Sequence, residues 1–209
     1  MEKYIPMFPL QIVVFPGETV RLHLFEERYK QLLEDCLRNQ ITFGIPTYYG
    51  GPLKEGTEVE LEKVFKTYPD GAADISVKGL QSFELISFDN PMENKLYAGG
   101  EITSFKNIDD DNLVLKEQLV ELAEEMLKMI GMKDQVIISE NLKSFEIGHK
   151  IGLKLEEEVA LLRLRRESER KKYIMDHLKK TIPVLRQMED ARTKIQANGH
   201  FRNFDPLDF

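Results

Sequence analysis

The 209-residue sequence contains one cysteine, Cys36, and no tryptophan. A lone thiol excludes an internal disulfide framework and any Cys-rich zinc module. Long apolar runs are missing as well. The longest, such as Ile12-Val13-Val14-Phe15, are strand-sized and stop at Pro16-Gly17, far short of the roughly 20 residues of a membrane helix. The start, Met1-Glu2-Lys3-Tyr4-Ile5-Pro6, lacks the basic-then-apolar pattern of a secretory signal, so the chain reads as soluble and cytoplasmic. An excess of positive charge is also lacking. The 29 basic against 36 acidic residues give a net charge of −7 and a pI near 5.3. That argues against whole-protein affinity for nucleic acid or an anionic membrane. No Gly-x-x-x-x-Gly-Lys-Ser/Thr phosphate loop occurs, so ATP hydrolysis has no sequence support.

What is present is organisation. A chain of 24.3 kDa is one large domain or two small ones, with enough core to fold without staples. The pattern changes near residue 106. Before it lie seven of the nine prolines and most of the β-branched and aromatic alternation; after it Leu, Lys, Glu and Met recur at helical spacing. Strands are expected at 20–24, 41–49, 57–66, 73–78, 82–88 and 96–104, with a further buried strand bracketed by Pro9 and Pro16-Gly17. Pro69-Asp70-Gly71 between two alternating runs signals a hairpin. A helix over 26–38 is expected to bury Tyr29, Leu32, Leu33, Cys36 and Leu37, with Glu26 capping or charging its start and Arg28 pairing with a nearby acid. Five or six strands and one helix suggest a partly closed barrel or coiled sheet.

The polar run Asp109-Asp110-Asp111-Asn112 suits a linker and a helix cap. Beyond it, helices are expected at 113–130 with Gly131 as cap, around 142–151, at 155–164, and from about 167 to 197 with a kink or restart at Pro183. The expected fold is therefore α+β: a β-rich unit over 1–106, an all-α helical bundle over 107–197, and an aromatic tail over 198–209.

Two stretches have a family likeness. Phe8-Pro9-Leu10-Gln11-Ile12-Val13-Val14-Phe15-Pro16-Gly17 and Leu22-His23-Leu24-Phe25-Glu26-Glu27-Arg28-Tyr29 resemble the opening signatures of the Lon protease N-terminal (LON) domain. Phe43-Gly44-Ile45, Gly56-Thr57, Pro69-Asp70-Gly71, Val77-Lys78-Gly79-Leu80, and Leu161-Leu162 followed by Glu169-Arg170 fall in that family's order, so the likeness spans roughly residues 5–185. It departs near Ser82, where the family usually carries an arginine. The resemblance implies a PUA-like β-domain followed by helices, and a stand-alone, ATP-independent module that binds polypeptide and lacks ATPase and protease domains. On it, Pro9, Leu10, Phe15, Pro16, Gly17, Phe25, Glu26, Arg28, Tyr29, Gly44 and Gly79 are architectural, with Phe15 and Phe25 in packing.

Individual residues support little catalysis. Cys36 could be a thiol nucleophile with His23 or His149 as base, but its place on an apolar stripe favours core packing. His23, His149, His177 and His200 have no metal-ligand spacing, and Asp109 to Asp111 lack the glycine and distal glutamate of a calcium loop, so no metal or cofactor is expected. Residues 163–194 hold eleven basic residues against five acidic. They read as a solvated face or as an interface with the acidic β-half, and RNA binding through them is the alternative function, with an unrecognised hydrolase third. Tyr48, Tyr49 and Tyr68, near expected turns, are the candidate polypeptide contacts. Unfolded or client polypeptides are the expected partners, and a homo-oligomer through the bundle or the aromatic tail is a further possibility.

Overall fold

In a computed structural model, residues 2–132 and 142–199 are described, the last four of them by backbone alone. Residues 200–209 of the aromatic tail, with His200 and any homo-oligomer contact expected there, lie outside the described residues.

Six strands form one sheet: β1 (Glu2–Met7), β2 (Thr19–Leu24), β3 (Phe43–Pro46), β4 (Glu55–Thr67), β5 (Ala73–Leu85) and β6 (Ala98–Ser104). Their order is β2-β5-β4-β3-β1-β6, and β6 returns to pair with the far end of β5. Five strands therefore close a barrel while β2 overhangs it, paired only with the first half of β5 among the described residues. The β4–β5 ladder carries register shifts after Glu58, Leu61 and Val64. Such bulges add the twist that lets a short ribbon close on itself. Helix α1 (Glu27–Asn39) covers one end, burying Tyr29, Leu32, Leu33 and Cys36 against Phe8, Phe43 and Ile75. Burying each large side chain of that stripe is worth about 1.5–3 kcal/mol.

Several expectations shift. The two strands expected over 73–78 and 82–88 are one continuous strand, β5, which runs straight through Gly79. That glycine serves close approach instead of a turn: a Cβ there would lie 2.3 Å from the Phe15 carbonyl oxygen. Gly44 plays the same part in β3, where a Cβ would meet the Met7 sulfur at 2.6 Å. The buried strand expected between Pro9 and Pro16 is not a strand. Apart from a bridge between Leu10 and Thr47 it makes no ladder, and prolines at both ends remove the donors one would need. β1, with Pro6 inside it, carried no strand signal. It pairs antiparallel with β6 along its whole length and meets β3 only at Met7, so a missing N–H is tolerated on the open side. In α1, Leu37 lies 58% exposed while Asp35 is buried. Asp35 accepts from Lys95 Nζ (2.7 Å) and Tyr97 Oη (2.6 Å), which hold its carboxyl below the usual range. Phe25, expected in packing, is 63% exposed.

The helices follow: α2 (Leu113–Met129), α3 (Ser144–Ile147) running into a 3-10 turn over Gly148–Lys150, α4 (Leu155–Arg163) and α5 (Glu167–Gly199). Asn112 caps α2 by accepting from Leu115 N, and Gly131 closes it at φ +72°. Pro183 neither ends nor restarts α5, which is continuous across it. The helical core gathers Leu119, Ala123, Ile147, Leu161, Leu162, Ile174 and Leu178.

Val13 and Phe15 belong to that helical core, whereas Val14 belongs to the barrel core. The strap over residues 9–17 therefore alternates its side chains between two cores and ties them together. Thr57 Oγ1 donates to Val14 O, and Gly17 N to Gly79 O, which fixes the strap to the barrel.

Candidate functional site

Each aspartate of the linker is engaged, with Lys143 shared between Asp109 and Asp111. Asp109 accepts from Lys143, Asp110 from Ser168 and Arg166, and Asp111 from Lys171. The Ser168 backbone and hydroxyl bring the Asp110 carboxyl down to about 2. Burial would raise Asp111, but Lys171 and Lys143 override it and leave it lowered. Among the described residues no group of three or more His, Cys, Asp or Glu side chains could hold a metal ion. Cys36 is buried, and desolvation pushes its thiol up to about 12, the opposite of what a nucleophile needs. His23 and His149 are engaged with carboxylates elsewhere.

Five of the eleven cations of the basic run are engaged in place. Arg163 reaches across to Glu55 of the barrel at 2.6 Å, Arg166 pairs with Asp110, Arg186 with Glu125, and Arg170 and Lys171 are buried in ion pairs. Arg163 therefore meets the acidic β-half directly. His177 is half-buried, with Nε2 2.9 Å from the Ile151 carbonyl oxygen.

A cleft of about 630 Å3 opens where the Pro16-Gly17-Glu18 turn faces α3 and α5, with Phe145, His149 and Arg170 in its wall. His149 spans the two halves here. Its ring lies 4.5 Å from that of Phe15, with Nε2 3.1 Å from Glu18 and Nδ1 2.7 Å from Glu158. Burial works against its charge, but the hydrogen bonds and charges of Glu18 and Glu158 outweigh that and raise the imidazole to about 9. A folded-state pKa above the ordinary 6.5 means a contribution fully present below that value and lost as pH climbs through about 9. Thermal melts between neutral and alkaline pH should therefore show the wild type losing its advantage over His149→Gln across that interval. Parallel curves for the two proteins would refute the linkage.

The three tyrosines do not gather. Tyr48 is exposed beyond β3, and Tyr49 packs on the helical core with its hydroxyl 3.4 Å from Arg163. Tyr68 stands at the other end of the 13-residue strand β4, at the hairpin tip where Gly71 has φ +84°. There it joins residues that no motif linked to it. On β2 the outward side chains are Thr19, Arg21 and His23, with Phe25 just beyond, while Leu24 faces the core. His23 Nδ1 lies 2.7 Å from Asp74, Tyr68 Oη donates to the same carboxylate at 2.8 Å, and these bonds lower the Asp74 carboxyl. The His23 ring stacks near Phe25 (6.0 Å) and meets Tyr68 edge-on (5.7 Å). Arg21 sits 4.8 Å over Phe65, itself 45% exposed, and Lys66 lies 4.2 Å over Tyr68. A depression of about 350 Å3 lies between Arg21, His23 and Phe65. This face combines a free strand edge, exposed rings and the cations that shade them. Phe65 was the missed member, and its signal was an aromatic on the polar side of an alternating strand.

A closed five-strand barrel with an overhanging strand, strapped to a helical unit, is a two-part α+β architecture. It is the fold of Lon protease N-terminal domains. The sequence matches the model of the ATP-dependent protease La (LON) substrate-binding domain over residues 4–180, and the chain belongs to that family. Among solved structures, a Lon N-terminal domain protein from Xanthomonas campestris shares the fold with a TM-score of 0.66 at 24% identity, over 83% of this chain and 98% of that one. The N-terminal domain of Mycobacterium avium complex Lon protease does so with a TM-score of 0.62 at 15% identity, over 85% and 98%. Comparison with curated proteins returns no match. No helix among the described residues is long and apolar enough to cross a membrane.

Proposed function

We propose that this chain is a non-catalytic, ATP-independent module of the cytoplasm that binds polypeptide, taking an extended segment along the free edge of β2. The reading rests on family membership and on one observation: the only partner of β2 among the described residues is β5, with the exposed ring of Phe25 just past the end of β2 and that of Phe65 under Arg21 on the outward face of the same sheet. An unpaired edge offers main-chain donors and acceptors to any extended chain, which suits clients that share no sequence. Phe25, Phe65 and Tyr68 would hold alternate apolar side chains of the client, and we assign that contact to Tyr68 in place of Tyr48 and Tyr49. We also take residues 1–106 as the binding unit and 107–197 as its support.

Phe25→Ser with Phe65→Ser, both at exposed positions, should leave the fold intact and weaken binding of an unfolded model protein about tenfold or more, since each aromatic anchor contributes roughly 1 kcal/mol or more. Unchanged affinity in the double serine variant by fluorescence anisotropy would sink the assignment.

A further inference from the structure

We propose that the groove between α1 and β4 seats the distal half of α5 from a second copy of this chain, so that two chains exchange arms. The groove is formed by two depressions, of about 450 and 540 Å3, that share Leu37 and Val64 and are therefore continuous. Leu37 has no reason to be apolar within one chain: it is 58% exposed on a helix whose other large apolar side chains are buried. Leu96, 57% exposed, extends the same floor. The rims are acidic, with Glu34, Glu60 and Glu62 all exposed. The cations nearby are engaged: Lys30 with Glu27 and the Asp70 carbonyl, Lys63 over the Phe65 ring. This groove lies on β4 and α1, away from the β2 edge, and stands independently of the function proposed above.

The occupant has the opposite character. Beyond Leu185, which packs on the helical core, and Arg186, which pairs with Glu125 of α2, the side chains of α5 are exposed through residue 195. Val184, Met188, Ala191 and Ile195 fall within a stripe about 60° wide on a helix of 100° per residue. All four are exposed, Met188 at 64% and Ile195 at 72%. Arg192 and Lys194 flank that stripe on its two sides at about 70–90°, whereas Glu189 and Asp190 lie behind it at about 130°. A basic amphipathic arm thus exists in the same chain as an acidic apolar groove. The stripe over residues 184–195 is about 17 Å long, and the 13-residue α1 that walls the groove is about 20 Å long. Docking within one chain is excluded by α5 itself. It is a single helix across Pro183, and its stripe is exposed in the monomer. A second copy is therefore the occupant, and reciprocal exchange closes the pair with two-fold symmetry.

Light scattering on the full chain at high micromolar concentration and low salt tests this. The expected result is a mass twice that of one chain, falling as salt screens the acidic and basic partners. Met188→Glu with Ile195→Glu should yield a monomer with unchanged helix content by circular dichroism. Glu34→Lys with Glu60→Lys should do the same, and adding Arg192→Glu with Lys194→Glu to that variant should restore the dimer. A single-chain mass for the wild type, or a dimer indifferent to both variant pairs, would overturn the proposal. So would a monomer that takes up an unrelated basic amphipathic peptide in the groove. Binding of unfolded protein at the β2 edge should survive all of these variants, which separates the two proposals.

Discussion

Phe15→Ala is expected to cost about 3–5 kcal/mol of stability, the range for emptying a fully buried aromatic site. The ring is completely buried, stacks on Phe145 at 5.1 Å and packs against His149 at 4.5 Å. A Cβ on Gly148 would come within 2.5 Å of it. Its backbone is fixed independently: the Phe15 amide donates to Glu18 Oε2, and its carbonyl fills the space that Gly79 leaves open. The strap cannot slide to close the hole, so the cavity term should be near its upper range. Because Phe15 carries helical-core contacts on a strap held to the barrel, its loss should also change the form of unfolding. Urea titrations followed by far-ultraviolet dichroism and by tyrosine fluorescence should coincide in the wild type and separate in the variant. A cost below about 1 kcal/mol with coincident curves would mean that the two cores are joined elsewhere. Gly148→Ala offers the converse test, since overfilling the same contact costs about 1–3 kcal/mol. Combining it with Phe15→Leu should cost less than the sum of the two single changes.

Arg170→Ala should be similarly severe, at about 3–5 kcal/mol, because it leaves the Glu167 carboxylate buried with only Lys171, 3.9 Å away, to offset its charge. Arg170 Nη2 lies 2.8 Å from Glu167, and its Nε also reaches Ser144 Oγ at 2.9 Å. Nη1 donates to the Leu164 carbonyl and to Asn107, while the guanidinium lies 4.4 Å over Phe145. Glu167 in turn accepts from the backbone and hydroxyl of Ser144, where α3 begins. One buried pair therefore fixes four chain segments: the linker, the start of α3, the end of α4 and the first turn of α5. Arg170→Lys keeps the charge but loses the fork, and should recover less than half of the loss. Arg170→Met with Glu167→Leu should be milder than Arg170→Ala alone, since no unpaired charge remains. Chemical denaturation of the three variants checks the order. A harmless Arg170→Ala would show that the pair does not hold these segments.

Much of the fold was legible because its elements follow simple periods. The hairpin at Pro69-Asp70-Gly71, the α2 stripe with its Asn112 and Gly131 caps, and the change of pattern near residue 106 all carry local signals. What stayed hidden depends on contacts between distant residues. Gly79 looks like a turn until the Phe15 carbonyl is placed against it. Asp35 and Leu37 exchange their apparent roles because Lys95 and Tyr97 come from a loop some sixty residues away. At the candidate site, Tyr68 could be picked from its turn. Its neighbours His23 and Phe25, in and just past β2, reach Phe65 and Tyr68 at the end of β4 only through the register of β2 and β4 on β5, and register is not written in any one strand.

The barrel's closure also sets an order of events for a chain made from its first residue onward. The β4–β5 ladder joins neighbours in sequence across a five-residue turn, so it can form as soon as it leaves the ribosome. β1, though made first, has to wait, because Met7 pairs with Ala98 and Glu2 with Thr103. Until β6 emerges, the N-terminal strand is held only where Met7 meets β3. The newborn barrel therefore stays open at one seam until residues almost a hundred positions apart can meet.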